Sequence, residues 1–214
     1  MNLESIVYVV DDDQAMVESL TWIIESVGFK VKTFTRAQDF LDQYDPNQPG
    51  CILLDIRMPG MSGPELQTQL KTISSYHTPP IIFISGHGDV PLAVRVMKAG
   101  AVDFLTKPFS EADLMRAIRT AIARDREARR KRAERAGLRS RFSSLTPRER
   151  EVLPLVVSGL LNKQVAAELG ISEITVQIHR GKIMQKMGAE SLAELVRMAG
   201  VLEIPMTHSR RAKR

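Results

Sequence analysis

The sequence predicts an α/β chain: a doubly wound, five-stranded parallel sheet in the first half, followed by a small all-α unit. Three observations predict it. Five short apolar runs alternate with segments of helical spacing through residues 1–123, and parallel neighbours need such crossovers between them. The charge changes sign midway: residues 1–123 hold ten Lys and Arg against fifteen Asp and Glu, whereas residues 124–214 hold twenty against ten. From Leu145 onward the pattern is one of short helical segments alone.

The elements follow in order. Residues 6–10 form a first strand that ends in Asp11, Asp12 and Asp13. Met16, Leu20, Ile23, Ile24 and Val27 then recur at helical spacing, and Gly28 closes the helix. Further strands are expected at 31–34, 52–54, 81–84 and 102–105, with helical crossovers between them. The stretch 121–141, "AIARDREARRKRAERAGLRSR", lacks Pro and has its one Gly at 137, so it extends the preceding helix as a charged connector. Helices are expected at 147–157, 163–169, 173–187 and 192–202, and a disordered basic tail from Pro205. The expected organisation is a first domain over 1–123, a linker over 124–144, a second domain over 145–204 and a tail over 205–214.

With 214 residues, 43% hydrophobic and 26% charged, the chain reads as two ordinary globular domains. No run approaches the roughly eighteen apolar residues of a membrane span. The start, "MNLESIVYVV", has neither a basic segment nor a small-residue cleavage site, so it does not read as a signal peptide and a cytoplasmic location is expected. One cysteine, Cys51, excludes an internal disulfide and a multi-cysteine metal site. The basic second half points to nucleic acid or an anionic membrane surface as a partner.

The segment "CILLDIRMPGMSG", residues 51–63, reads as a buried strand that finishes on a carboxylate, Asp55. That residue either caps the next loop or stands where parallel sheets bind ligands, beyond the strand ends. In the flavodoxin-like strand order 2-1-3-4-5, Asp11, Asp12 and Asp13 after strand one, Asp55 after strand three, Ser85 after strand four and Lys107 after strand five converge on one cleft. Carboxylates crowded there raise one another's pKa unless a cation neutralises them, and Mg²⁺ prefers oxygen ligands. The set suits a phosphoryl group. A carboxylate attacks phosphorus while cation, ammonium and hydroxyl stabilise the charge spreading over its oxygens, which makes Asp55 the nucleophile.

The motifs "VVDDDQ", "LLDIRMPGMSG", "ISGHGD" and "AGAVDFLTKPF", in this order and spacing, closely resemble the receiver domain of two-component response regulators, over about residues 4–123. The resemblance implies Asp11 and Asp12 as Mg²⁺-binding acids, Asp55 as phosphoacceptor and metal ligand, and Arg57 as a backbone-carbonyl ligand. It also implies Ser85, Phe104 and Lys107 as the switch hydroxyl, switch aromatic and phosphate-pairing lysine. Phosphorylation would then draw Ser85 toward the phosphoryl oxygens, turn Phe104 inward and rearrange the face of the fourth helix, fifth strand and fifth helix. Asp13 exceeds the usual acidic pair, and its role is open.

The second unit combines a short helix, a turn at Gly170 and a longer helix over 173–187 with Ser172 placed as N-cap. Val176, Ile183 and Met187 share one face of the longer helix and should be buried. Ile174, Ile178, Gly181 and Gln185 point away, with Gln177 beside them, and Lys182 and Lys186 lie along one flank. Such a face suits base edges and thymine methyl groups, and its basic flank suits backbone phosphates. "LTPREREVL", "NKQVAAELGIS" and "TVQIHR" closely resemble the helix-turn-helix of FixJ and LuxR type transcriptional regulators, over residues 145–199. The DNA-contacting set expected here is Ile174, Thr175, Gln177, Ile178, His179, Gly181, Lys182 and Lys186. Leu161 stands where a Ser or Thr is often seen, which leaves Asn162 as the candidate cap.

The joint reading is a phosphorylation-controlled transcription regulator. A histidine kinase delivers phosphate to Asp55, the receiver dimerises, and paired effector units bind promoter DNA with two half-sites and work with RNA polymerase. An aspartate-dependent phosphatase is the enzymatic rival, but it carries a second acid two residues after its nucleophile, where this chain has Arg57. An RNA-binding output lacks stacking aromatics, since the basic half holds only Phe142.

Overall fold

A computed structural model describes residues 5–73, 78–86 and 90–206. Residues 87–89 of the "ISGHGD" motif and most of the expected disordered tail, 207–214, lie outside the described residues. Two compact units divide the chain, Met1–Arg130 and Lys131–Arg214.

The first unit runs β1 (Ile6–Val10), α1 (Gln14–Ser26), β2 (Lys30–Phe34), α2 (Ala37–Gln43), β3 (Gly50–Asp55), α3 (Gly63–Ile73), β4 (Ile81–Ser85), α4 (Val90–Lys98), β5 (Asp103–Thr106) and the start of α5 (Glu111–Ser143). All strand pairs are parallel and their order is β2-β1-β3-β4-β5, the doubly wound arrangement expected from sequence. Strand side chains alternate between two apolar layers, as a period of two dictates. Val7, Val9, Cys51, Leu53, Ile82 and Ile84 pack with Leu20 and Ile24 of α1 and with Leu114, Ile118 and Ile122 of α5. Tyr8, Val10, Ile52, Leu54, Ile81 and Phe83 pack on the other side with Phe40, Leu66, Leu70 and Val96 of α2, α3 and α4. The edge strand β2 is mostly exposed.

Two boundaries differ instructively from expectation. Strand β3 reaches from Gly50 through Asp55, beginning two residues before the expected 52–54 and ending on the acid, which pairs with Ile84 of β4. The connector segment is helical, but its first turn is part of the first unit: Asp125 is 1% exposed, held from Gly50 and Arg129 rather than solvated.

The second unit takes in the end of α5, then α6 (Pro147–Val157), α7 (Asn162–Leu169), α8 (Glu173–Met187) and α9 (Leu192–Val201). Thr146 caps α6 in a capping box with Glu149, with Pro147 at the first helical turn. Gly170 ends α7 at φ 64°, a left-handed conformation that glycine adopts without strain. Leu138 of α5 joins Val152, Leu153, Val156, Val165, Val176, Ile183, Met187 and Leu195 in one core, with Phe142 packed against it.

Candidate functional site

Register brings the acids together. Val10 pairs with Leu54, so Asp11, the next residue after β1, stands level with Asp55 at the end of β3. Ser85 ends β4 and pairs with Thr106, which precedes Lys107. The Lys107 N–H donates to the Ser85 carbonyl at 2.7 Å, which turns the lysine back over the strand ends. Its ammonium donates to Asp11 Oδ2 at 2.9 Å and to Asp55 Oδ1 at 3.0 Å. Asp55 Oδ2 accepts the Arg57 N–H at 2.7 Å. Gly63 opens α3 so close to this point that a Cβ there would lie 2.3 Å from the Asp55 carbonyl oxygen. Glycine is therefore demanded by the approach of α3, a requirement visible in sequence only as part of "MPGMSG".

Asp11 and Ser85 are buried, Asp55 is 8% exposed, Phe104 is half-buried, and Asp12 and Arg57 are exposed. Burial pushes the Asp55 carboxyl above its ordinary value, and the charge of Asp11 adds to that, while the Arg57 N–H and Lys107 pull it back. Burial also works against a charged Lys107, yet the two carboxylates outweigh it and hold the ammonium above its ordinary value. Asp13 has a separate role. Its Oδ1 accepts from the Ala15 and Met16 N–H groups and caps α1, while its own N–H donates to Asp11 Oδ1.

One ammonium within 3.0 Å of both Asp11 and Asp55 means that the two carboxylates already face a single cation-sized position. Among the described residues no three His, Cys, Asp or Glu side chains form a ready cage. The donors facing this position are oxygens, a set that suits a hard cation such as Mg²⁺ that keeps several of its waters.

In the second unit, Val176, Ile183 and Met187 are wholly buried, which sets the rotation of α8 as expected. Ile174 is 71% and Ile178 52% exposed, and Gln177, Gly181 and Lys182 share the exposed side; Thr175 and His179 are half-buried. The Thr175 N–H and hydroxyl both meet the Ser172 hydroxyl, so Thr175 belongs to the cap of α8. Lys186, expected along the phosphate-facing flank, is half-buried and engaged within the unit. Its ammonium lies 2.7 Å from Oε2 of Glu149, a carboxylate 1% exposed inside the capping box of α6. Asn162 is not the cap of α7 either: Leu161 occupies that position without a side-chain bond, and Gln164 Oε1 accepts the Leu161 N–H. Asn162 Oδ1 instead accepts from Arg180 of α8 at 3.1 Å, and Arg148 of α6 donates to the last carbonyl of α7, Leu169, at 2.9 Å. Sequence reading missed Glu149, Arg148 and Arg180 as the polar ties that hold α6, α7 and α8 together, because each looks like a surface charge until its partner helix arrives.

The family model described as "Response regulator receiver domain" matches residues 7–119, and "Bacterial regulatory proteins, luxR family" matches 143–199. The chain is 49% identical to Nodulation protein W of Bradyrhizobium diazoefficiens, over 96% of this chain and 90% of that protein. It is 45% identical to the transcriptional regulatory protein FixJ of the same organism, over 93% of this chain and 96% of FixJ. Among solved structures it is similar to the response regulator StyR, with 50% identity, a TM-score of 0.81, and coverage of 92% of this chain and 98% of that one. No helix of the described residues is long and apolar enough to cross a membrane.

Proposed function

The chain belongs to the two-component response regulators that join a receiver domain to a luxR-family DNA-binding unit, and from that premise we propose that Asp55 is the phosphoacceptor whose modification controls dimerisation and promoter binding. The observation that carries this reading is Lys107 bridging Asp11 and Asp55 across three strand ends. A phosphorylated histidine of the sensor kinase presents its phosphorus to an Asp55 carboxylate oxygen. The new P–O bond forms as the P–N bond breaks, and the imidazole leaves. Asp11, Asp12, Asp55 and the Arg57 carbonyl would hold a Mg²⁺ ion, which would supply charge neutralisation at the phosphoryl oxygens. Lys107 trades its carboxylate partners for a phosphoryl oxygen, and the Ser85 hydroxyl donates to another. Phe104, half-buried beside β4, follows into the space that Ser85 vacates. The protein turns over no substrate beyond its own phosphoryl group.

The exposed apolar side chains of α4, Val90, Val94 and Met97, support an α4–β5–α5 dimer face, as these surfaces gain by being covered. Pairing two effector units raises their effective concentration at a two-half-site operator, where cytoplasmic RNA polymerase is recruited. Sedimentation of the full chain with and without a phosphate mimic tests the reading. A monomer that becomes a dimer is expected, and a monomer in both states at saturating mimic contradicts it.

On DNA, Gln177 and Ile178 read bases while Lys182 neutralises phosphate. Gln177→Ala is expected to cost roughly 1 to 3 kcal/mol on the operator and almost nothing on random DNA. Lys182→Ala should weaken both and reduce the salt slope by about 0.9. Salt titrations of both variants on both DNAs separate the roles, and equal weakening by Gln177→Ala would reverse the assignment.

A further inference from the structure

One turn of α5 grips the far end of the sheet. Beyond Ile122, no apolar side chain of α5 is buried in the first unit, so the helix leaves its hydrophobic seat there. Three polar residues hold the next turn. Asp125 Oδ2 accepts the N–H of Gly50, the first residue of β3, at 3.1 Å. Arg129 Nε donates to the same carboxylate at 2.8 Å, and its two Nη atoms donate to the carbonyls of Pro46, Asn47 and Gln48 at 3.1, 2.9 and 2.7 Å. Arg126 reaches the Ser5 hydroxyl, just before β1, at 3.5 Å.

The grip therefore acts on the starts of β1 and β3, the strands whose opposite ends carry Asp11 and Asp55. At a strand rise of about 3.3 Å per residue, Gly50 and Asp55 lie about 16 Å apart. The pair is too distant to touch the phosphoryl group. Its surroundings also argue against a mere surface ion pair: Asp125 is 1% and Arg129 20% exposed, and the planar guanidinium serves four acceptors that a lysine could not serve together. Close-packed strands move as rigid elements, and a helix carries their displacement along the length over which it is held: Leu114, Ile118 and Ile122 seat α5 on the sheet, and this polar turn is its last attachment there. Since α5 continues to Ser143, the held turn is where such a displacement enters the connector.

We propose that Asp125 and Arg129 are positioning residues of the output path: they are dispensable for phosphorylation of Asp55 but required for it to change DNA affinity. This rests on the phosphoacceptor reading above. The test compares the full-length wild type with Arg129→Met and with Asp125→Asn, which keeps an acceptor for the Gly50 N–H. Two quantities are read: incorporation from a small acyl phosphate with Mg²⁺, and the ratio of DNA affinities with and without it, on a fragment selected from random DNA by the wild type. The wild-type ratio is expected to be on the order of tenfold. Both variants should incorporate phosphate as the wild type does while their ratio approaches unity. An unchanged ratio overturns the proposal, and so does parallel loss of incorporation, which would make the pair part of basal receiver folding. A wild type that shows no incorporation overturns the phosphoacceptor reading itself, so the two failures are distinguishable.

Discussion

Asp55→Ala is expected to reduce phosphoryl incorporation from a small acyl phosphate to background, with the wild-type adduct acid-stable, base-labile and lost on adding a chelator. The reason is positional. Asp55 is the carboxylate that ends β3 opposite Asp11, held by Lys107 on one oxygen and by the Arg57 N–H on the other. The neighbouring Asp11 is more enclosed, at 2% exposure against 8%, with its two oxygens bonded to the Asp13 N–H and to Lys107. Asp13→Ala serves as the contrast. It should retain incorporation and lose about 1 kcal/mol of stability, the value of a helix cap. Full labelling of Asp55→Ala, followed by mass spectrometry of the adduct, would move the acceptor elsewhere.

Lys186→Ala should act on the stability of the second unit rather than on phosphate contact. Removing the ammonium leaves Glu149 charged and enclosed, a loss of roughly 3 to 5 kcal/mol for a fully enclosed pair and nearer 2 here, since the lysine is 32% exposed. The pH dependence carries a sign. Burial alone would raise the Glu149 carboxyl, but Lys186 and the Thr146 N–H outweigh it and hold it below its ordinary value. A carboxyl depressed in the folded state stabilises above its unfolded value, about 4.5, and that contribution is lost as pH falls through the folded value. In Lys186→Ala only the Thr146 bonds still oppose burial, so the loss of stability on acidification should be smaller than in the wild type. Urea unfolding of both proteins between neutral pH and pH of about 3 measures this. A variant that keeps wild-type stability and loses salt-dependent DNA binding would restore Lys186 as a phosphate contact.

The amino-acid sequence by itself determined the doubly wound sheet, its strand order and the residues at the strand ends. Apolar strand runs, helical crossovers and turn residues are local signals, and the doubly wound strand order then places Asp11, Asp55, Ser85 and Lys107 at neighbouring strand ends. It also set the rotation of α8, because Val176, Ile183 and Met187 leave only one face to bury. Which charges are free and which are spent was decided by tertiary structure alone. Lys186, Asn162, Asp125 and Arg129 read in sequence as a phosphate anchor, a helix cap and two members of a solvated connector. In the folded chain each meets a partner 4 to 83 residues away. A charged side chain carries no local mark of its partner, since the same Lys or Asp suits water, phosphate or a buried counter-charge. Only the approach of another helix or strand removes the water and makes one of these states the lowest in free energy.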